Sequence, residues 1–462
     1  MSTRISIDEI LETVDMIVYK HLNIRAVTLG INVLPAASPD PGALRRGVAG
    51  AIREGASRLA DVVRDVSAKY GVEVVNRRVA LTPLALVASP MIRSAGPRAR
   101  EELVSLAQEV DDAAADVGVD LVGGYGALVQ KGETAADVEL EESIPEALAS
   151  TRRVCAAVNV ADSRSGVNVD AVLRMGRVIS RAAQLSPGGR GESCARLMVL
   201  ANAPDDNPFM AGGFHGLGTH DAAVNVGISG PAVLLAAIRE SGGVDVTSLS
   251  EVIKRVAFKI TRVGELIGRE VAAQLGVQFG AVDISLAPAP AEGESVAEVL
   301  EAMGVDAVGA PGTVGAMMIL TDSLRKGGAM AASRIGGFSG VMTPVSEDLG
   351  MARRAAEGTV GLWALLAMSS VSAAGTDMVP LPGDTQPEVL SSIILDQVAI
   401  GVIAGKPVGV RLLPVPGAKP GDRVDFGGLF GSGVVMDVPR LGASRLIARG
   451  GRVPPPLTSL RG

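Results

Sequence analysis

The sequence predicts an α/β protein built on one large sheet or barrel. Short apolar, β-branched runs recur at 24–33, 72–81, 119–123, 154–160, 196–202, 223–228, 281–286 and 408–415. Most are apolar on both faces, as strands covered by helices are. Helical patterns lie between them, at 43–70, 98–117, 169–185, 231–241, 248–275, 295–303, 312–325, 347–369 and 387–404. That alternation over the whole length is the mark of an α/β unit. Glycine makes up 57 of 462 residues, well above the usual ~7%. The glycines gather at the ends of the predicted strands, where tight turns need a residue without Cβ.

The elements have recognisable starts. Ile7, Ile10, Leu11, Val14 and Ile17 fall at helical spacing, and Ser6 with Glu9 matches a capping box. Acids in this stretch exclude a signal peptide. Pro231 follows Ser229 and Gly230 and suits a first helical turn, where its missing N–H costs nothing. Ser346 before Glu347 and Asp348 reads as an N-cap followed by acids that suit the helix dipole. The uncharged stretch between Glu357 and Asp377 is interrupted by Gly358, Gly361, Ser369, Ser370, Ser372 and Gly375. It reads as a buried core helix, because a membrane span needs about 20 predominantly apolar residues. Residues 1–445 are expected to form a single α/β-barrel domain. Residues 446–462, Pro-rich and basic, are expected to be a flexible tail.

Composition excludes several functions. The chain has 43 Lys+Arg against 50 Asp+Glu, a net charge of −7, where nucleic-acid binding needs a basic surface. Its 7 Phe, 3 Tyr and 1 Trp are too few for base-stacking platforms. Two cysteines make no disulfide framework and point to a reducing cytoplasm. The expected partner is a small molecule, with neither nucleic acid nor membrane.

The richest segment for chemistry is 201–230, a polar, Gly-rich loop between two predicted strands. Loops at strand ends are where α/β enzymes build sites. His215 is the candidate acid/base, with Asp206 or Asp283 as its carboxylate partner. Asp205, Asp206, Asn207, Asp221 and the two histidines could also ligate a divalent metal, but no HExxH or CxxC spacing supports it. Metal and cofactor stay open. Asn202, Asn207, Gly212, Gly213, Gly216, Gly218 and Asn225 are the candidate ligand contacts in this segment. Gly312 and Gly315 enter a predicted helix and could cradle an anion. Arg334, beside Gly336 and Gly337, could pair with a carboxylate or phosphate. Gly427, Gly428, Gly431 and Gly433 form a further cluster, and none of these turns is a P-loop or a dinucleotide fingerprint. Asp283, Glu347, Asp348, Asp377 and Asp384, together with Asp206, could give a paired-carboxylate or oxygen-ligand site if they converge. Capping and turn roles explain each alone and are the favoured reading for Glu347 and Asp348. Cys155, inside a predicted apolar strand, is the candidate nucleophile, against the ordinary reading of a small buried hydrophobe.

Several stretches together resemble one known family. They are NIRAVTLGINV (23–33), VCAAVNVADSRSGVN (154–168), FMAGGFHGLGTHDAAVNVGISGP (209–231), VDISLAPAPAEGESVAEVLEAMG (282–304), RIGGFSGVMTPVSEDLGM (334–351) and DRVDFGGLFGSGVVM (422–436). The chain resembles uncharacterised protein family 0210, also called domain of unknown function 711, over nearly its whole length. The resemblance implies a pyruvate formate-lyase-like fold: a large α/β barrel of about ten strands with surrounding helices, as in glycyl radical enzymes. It also implies a homodimer and points to a small ACT-domain protein as a partner. It carries no catalytic residues across. Arg334–Phe338 loosely matches a glycyl radical motif, but it lies far from the C-terminus in a context that reads as a turn, and shared fold does not transfer function. The expected function is an enzyme acting on a small anionic metabolite at a polar, Gly-rich pocket at strand ends. The rival is a non-catalytic metabolite sensor working with the ACT-domain partner.

Overall fold

The computed structural model describes residues 16, 20, 22–218, 220–373 and 375–457. The capping box at Ser6 and most of the helix expected after it lie outside them. Nine main strands are β1 (Asn23–Ile31), β2 (Arg77–Leu81), β3 (Leu121–Leu128), β4 (Val154–Asp162), β5 (Leu197–Ala201), β6 (Ala222–Ile228), β7 (Gln278–Asp283), β8 (Gly375–Pro382) and β9 (Val408–Val415). They hydrogen-bond in the order β8-β9-β5-β4-β3-β2-β1-β6-β7. The ring closes through residues 335–344, by single bridges Val282↔Ile335, Leu286↔Val341 and Pro344↔Asp377. This makes the ten-stranded barrel that the family resemblance implied.

The barrel has two halves. β1 to β5 are mutually parallel. β6, β7, the 335–344 segment, β8 and β9 form a second parallel set. The halves meet antiparallel at β1/β6 and β5/β9. Parallel neighbours need a crossover, usually a helix. Helices Pro41–Gly55 and Leu59–Tyr70 join β1 to β2, Ala99–Asp116 joins β2 to β3, Ala135–Ala149 joins β3 to β4 and Val169–Leu185 joins β4 to β5. The second half repeats the scheme with Val246–Leu275, Thr313–Ala329, Leu362–Val371 and Pro387–Ala404 among its helices. The passage between halves, β5 to β6, carries the 202–221 loop instead.

That loop is a plug. Residues 207–216 are all buried. Thr28 Oγ donates to Pro208 O at 2.7 Å and His215 N to Leu81 O at 3.0 Å. Asn207 clamps the loop's own turn, donating to Gly212 O at 3.2 Å and accepting from Phe209 N at 2.9 Å. Strand glycines make the room: a Cβ on Gly30 would lie 2.3 Å from His215 Nδ1, and one on Gly227 2.6 Å from the Phe209 ring. The core is therefore double. Outward residues such as Val27, Leu29, Val79, Val158, Val226 and Val410 pack beneath the helices. Inward Ala80, Cys155, Ala157, Met198 and Leu200 pack on Met210, Phe214 and Phe338.

Several elements differ from expectation. The run at 43–70 is two helices with a break at 56–58. The 347–369 pattern is also two, Leu349–Ala356 and Leu362–Val371, with Gly358 at φ 80° ending the first. Ser346 is not the cap; its hydroxyl donates to Phe430 O, and Asp348 caps the helix by accepting from Met351 N at 3.0 Å. The uncharged stretch before Asp377 holds only the ten-residue helix Leu362–Val371. Pro387–Ala404 is the described helix long and apolar enough to cross a membrane; it packs on helix Val169–Leu185 and β9. The segment expected as a tail is anchored in its described part: Ile447 is buried, and Arg452–Val453 pairs antiparallel with Gly166–Asn168.

Helix Ala135–Ala149, missed by the hydropathy pattern, holds a buried Glu141 that binds Arg174 at 2.8 Å while its Oε1 has no partner. Burial pushes this carboxyl up to about 8. A folded-state pKa above the unfolded one contributes stability that is full below pH 4.5 and lost as pH rises through about 8. Urea unfolding of Glu141→Gln, which lacks the titration, is therefore expected to show a stability gain over wild type that grows from pH 5 to pH 9.

Candidate functional site

Arg25, Arg78 and Arg411 each lie in an apolar run of a different strand and face inward, whereas Arg77, the neighbour of Arg78, forms an ion pair with Asp120. Alternate strand residues point to opposite faces. Val79 and Leu81 face the helices, so Arg78 points into the barrel; Arg411 does likewise between Val410 and Leu412. Arg25 gets there by a bulge. Ile24 pairs with Ile228 and Ala26 with Gly227, leaving Arg25 as an extra residue that the irregularity re-aims. A second irregularity in β8, between Thr376 and Val379, accompanies the inward turn of Asp377.

These side chains meet Glu347 at one end of the barrel. Arg411 grips Asp377 with both arms of its fork, Nε to Oδ1 at 2.5 Å and Nη2 to Oδ2 at 2.8 Å. Its Nη1 lies 3.2 Å from Glu347 Oε1 and donates to Ala195 O at 3.3 Å. Arg25 reaches Glu347 only at 3.9 Å. Arg78 is 5% exposed, its Nε is buried without a hydrogen-bond partner, and no carboxylate among the described residues forms an ion pair with it. Burial pulls its guanidinium down to about 10 and lowers that of Arg25. Burial also raises the Glu347 carboxyl, against the pull of Arg411. For Arg411 burial is outweighed by Asp377 and Glu347, which hold it above its ordinary value.

The five charged groups line a cavity of about 50 Å³. Its walls are otherwise apolar: Leu121 and Met198 from the strands, Phe209 and Met210 from the plug, Phe338 and Met342 from the closing segment. Leu429 and Phe430 cover it. They sit in the Gly427–Gly433 cluster, pinned by the Ser346 hydroxyl to Phe430 O at 2.7 Å. A chamber lined by three arginines and apolar walls can bind an anion strongly, because a low local dielectric magnifies the attraction.

Of the carboxylates the sequence offered, Glu347 and Asp377 line this cavity; the other residues expected to form a site lie outside its lining. His215 sits at the far end of β2 from Arg78, its Nε2 2.6 Å from His220 O, and burial lowers its pKa. The carboxylates expected beside it serve the closing segment instead. Asp206 accepts from Gly337 N at 3.0 Å. Asp283 accepts from Phe338 N at 2.9 Å and from Ser339 N at 3.0 Å; burial raises it to about 6. They staple the Gly336–Gly337 turn, where Gly337 has φ 64°. Asn202 bonds Ser163 N, Gly401 O and Lys406 O, and Asn225 accepts from Ala281 N at 2.8 Å. Gly212, Gly213 and Gly216 are buried within the plug, and Gly218 is exposed beyond it. Gly312 and Gly315 are exposed on helix Thr313–Ala329, and Arg334 is exposed on the closing segment. None of these lines the cavity. Among the described residues no three His, Cys, Asp or Glu side chains converge as metal ligands.

Cys155 packs with the inward core beside the cavity, and burial pushes its thiol up to about 11. Cys194 is buried too and also raised. A thiol without thiolate character is a poor nucleophile. Iodoacetamide at pH 7.5 is expected to label neither cysteine in the native protein and both in urea, read by intact mass; rapid native labelling of Cys155 would contradict this placement.

The profile described as "Uncharacterised ACR (DUF711)" matches residues 15–432. A UPF0210 protein of Desulforudis audaxviator is 49% identical over 456 residues, covering 99% of both chains. One from Methanosarcina mazei is 49% identical over 452 residues, covering 98% of each. Among solved structures, the anaerobic ribonucleotide reductase of Thermotoga maritima is similar over 85% of this chain and 74% of that one, with a TM-score of 0.45 and 9% identity. A family profile spanning most of the chain and relatives near half identity end to end place it: the chain belongs to the DUF711 family, with the UPF0210 proteins.

Proposed function

We propose that this protein is an enzyme acting on a small anionic metabolite, bound inside the barrel by Arg78 and Arg25. The observation that carries the reading is Arg78, a deeply buried guanidinium with an orphaned Nε facing a cavity. A buried charge is costly unless paired, and an anionic ligand is the missing pair. Glu347 is the acid/base. Its side chain is 13% exposed, it lies between Arg411 and Arg25, and desolvation raises its pKa toward the range where a carboxyl exchanges protons at neutral pH. Arg411 and Asp377 hold it in place. Leu429 and Phe430 cover the cavity and limit its contact with solvent.

The test begins with the protein as purified. Native mass spectrometry, followed by identification of small molecules released on denaturation, is expected to find an organic anion on wild type and none on Arg78→Met. Turnover of that anion is then expected to fall at least about 100-fold in Glu347→Gln, the usual loss with a general acid/base. An anion that persists in Arg78→Met would remove the site from this cavity.

A further inference from the structure

Resting on that anion-site reading, we propose that the ligand is a short-chain monocarboxylic acid: its carboxylate on Arg78 and Arg25, its apolar body against Met198, Met210 and Met342. Charge supplies the first argument. Asp377 is satisfied by Arg411, and Glu347 lies between Arg411 and Arg25. Among the residues lining the chamber, three arginines face two carboxylates. Glu294, outside the lining, adds its attraction to Arg25, and Arg78 is the arginine without an ion pair among the described residues. One negative charge neutralises the chamber. A second would lie in a wall without further cations and close to Glu347.

The walls supply the second. Beyond the five charged residues every side chain lining the chamber is hydrocarbon or thioether. A hydroxyl, phosphoryl or second carboxylate on the ligand's body would lose water and gain no side-chain partner there. Thioethers in particular adapt to slender apolar groups. Size supplies the third. A volume of about 50 Å³ holds about three to five water-sized positions at ~10–15 Å³ each. That suits a ligand of two to four carbons. The guanidinium fork itself recognises carboxylate and phosphate alike, so charge, wall and volume make the choice.

Isothermal titration of the full-length, dialysed protein at constant ionic strength distinguishes the cases. The probes are acetate, propionate and butyrate, then malonate and succinate, then inorganic phosphate. The expected result is that the best monocarboxylate binds at least about tenfold tighter than either dicarboxylate and than phosphate, the order expected when one buried partner is lacking. Arg78→Met is expected to abolish that binding, and Arg78→Lys, which keeps the charge without the fork, to weaken it about tenfold. Phosphate or a dicarboxylate binding as tightly, with the same dependence on Arg78, overturns the monocarboxylate and leaves the anion site standing. No anion binding at all overturns both. The rank order on wild type needs no variant, so a misfolded substitution does not blunt the test.

Discussion

Arg78→Met is expected to stabilise the ligand-free protein by about 1–4 kcal/mol, the range seen when buried ionic groups give way to packed apolar ones, while removing anion binding. The two effects have one cause. Arg78 is dehydrated by folding and receives no carboxylate in return. The fall of its pKa from 12.5 to about 10, caused first by burial and then by repulsion from Arg25, corresponds to about 3 kcal/mol against the charged form. Methionine fills much of the same space beside Leu121 and Met198 without that cost. Urea midpoints measured without ligand decide the matter. A variant less stable than wild type would mean that Arg78 is already paired within the protein. Stability given up at a functional position is a familiar trade.

Asp377→Ala, a few ångströms away in the same chamber, is expected to act in the opposite direction. It costs about 3–5 kcal/mol, the usual penalty for removing one member of a buried ion pair. Arg411 would lose both of its short bonds to Asp377 and would be left 5% exposed with Glu347 alone to balance it. Combining Asp377→Ala with Arg411→Met is expected to recover much of the loss, and the double-mutant cycle reports the coupling. Additive penalties in that cycle would show that the two side chains do not act as a unit. The contrast in sign between Arg78 and Asp377 separates a charge kept for a ligand from a charge kept for the fold.

The fold was legible to the extent that its strands are apolar and its helices amphipathic. All eight runs expected as strands overlap strands of the barrel. β8 escaped because Pro380 and Pro382 read as turn residues, and the 335–344 segment escaped because it joins the ring through isolated bridges among glycines and serines. Helix Ala135–Ala149 was hidden by its interior Pro145 and weak amphipathicity, although Thr134 and Asp137 form a capping box. The 201–230 loop stands out for its polar and glycine content, and residues 207–216 of it are packed inside the barrel as a plug. Asp206 satisfies the Gly337 N–H and Asn207 the loop's own turn, the pairing that backbone groups carried into a barrel require. What could have shown the chamber was the placing of Arg25, Arg78 and Arg411, each inside a run otherwise fit for burial. Arginine is rarely buried without a partner, so such a position is itself a signal. Its convergence needed two bulges and a closed ring, and neither is visible in the order of residues.

The ring is not equally fastened all the way round. From β7 through β1 to β8 neighbouring strands share ladders of several paired residues, whereas 335–344 touches its neighbours at three isolated bridges. Phe338, Met342 and Pro344 belong to that stretch, Glu347 follows it directly, and Asp377 forms its last bridge. The chamber is thus built along the least firmly stitched meridian of the barrel. Ligand capture and completion of the hydrogen-bonded cylinder draw on the same contacts. An occupant that draws Arg78 and Arg25 together would also act as a clasp, so that slow amide exchange along 335–344 becomes a readout of occupancy.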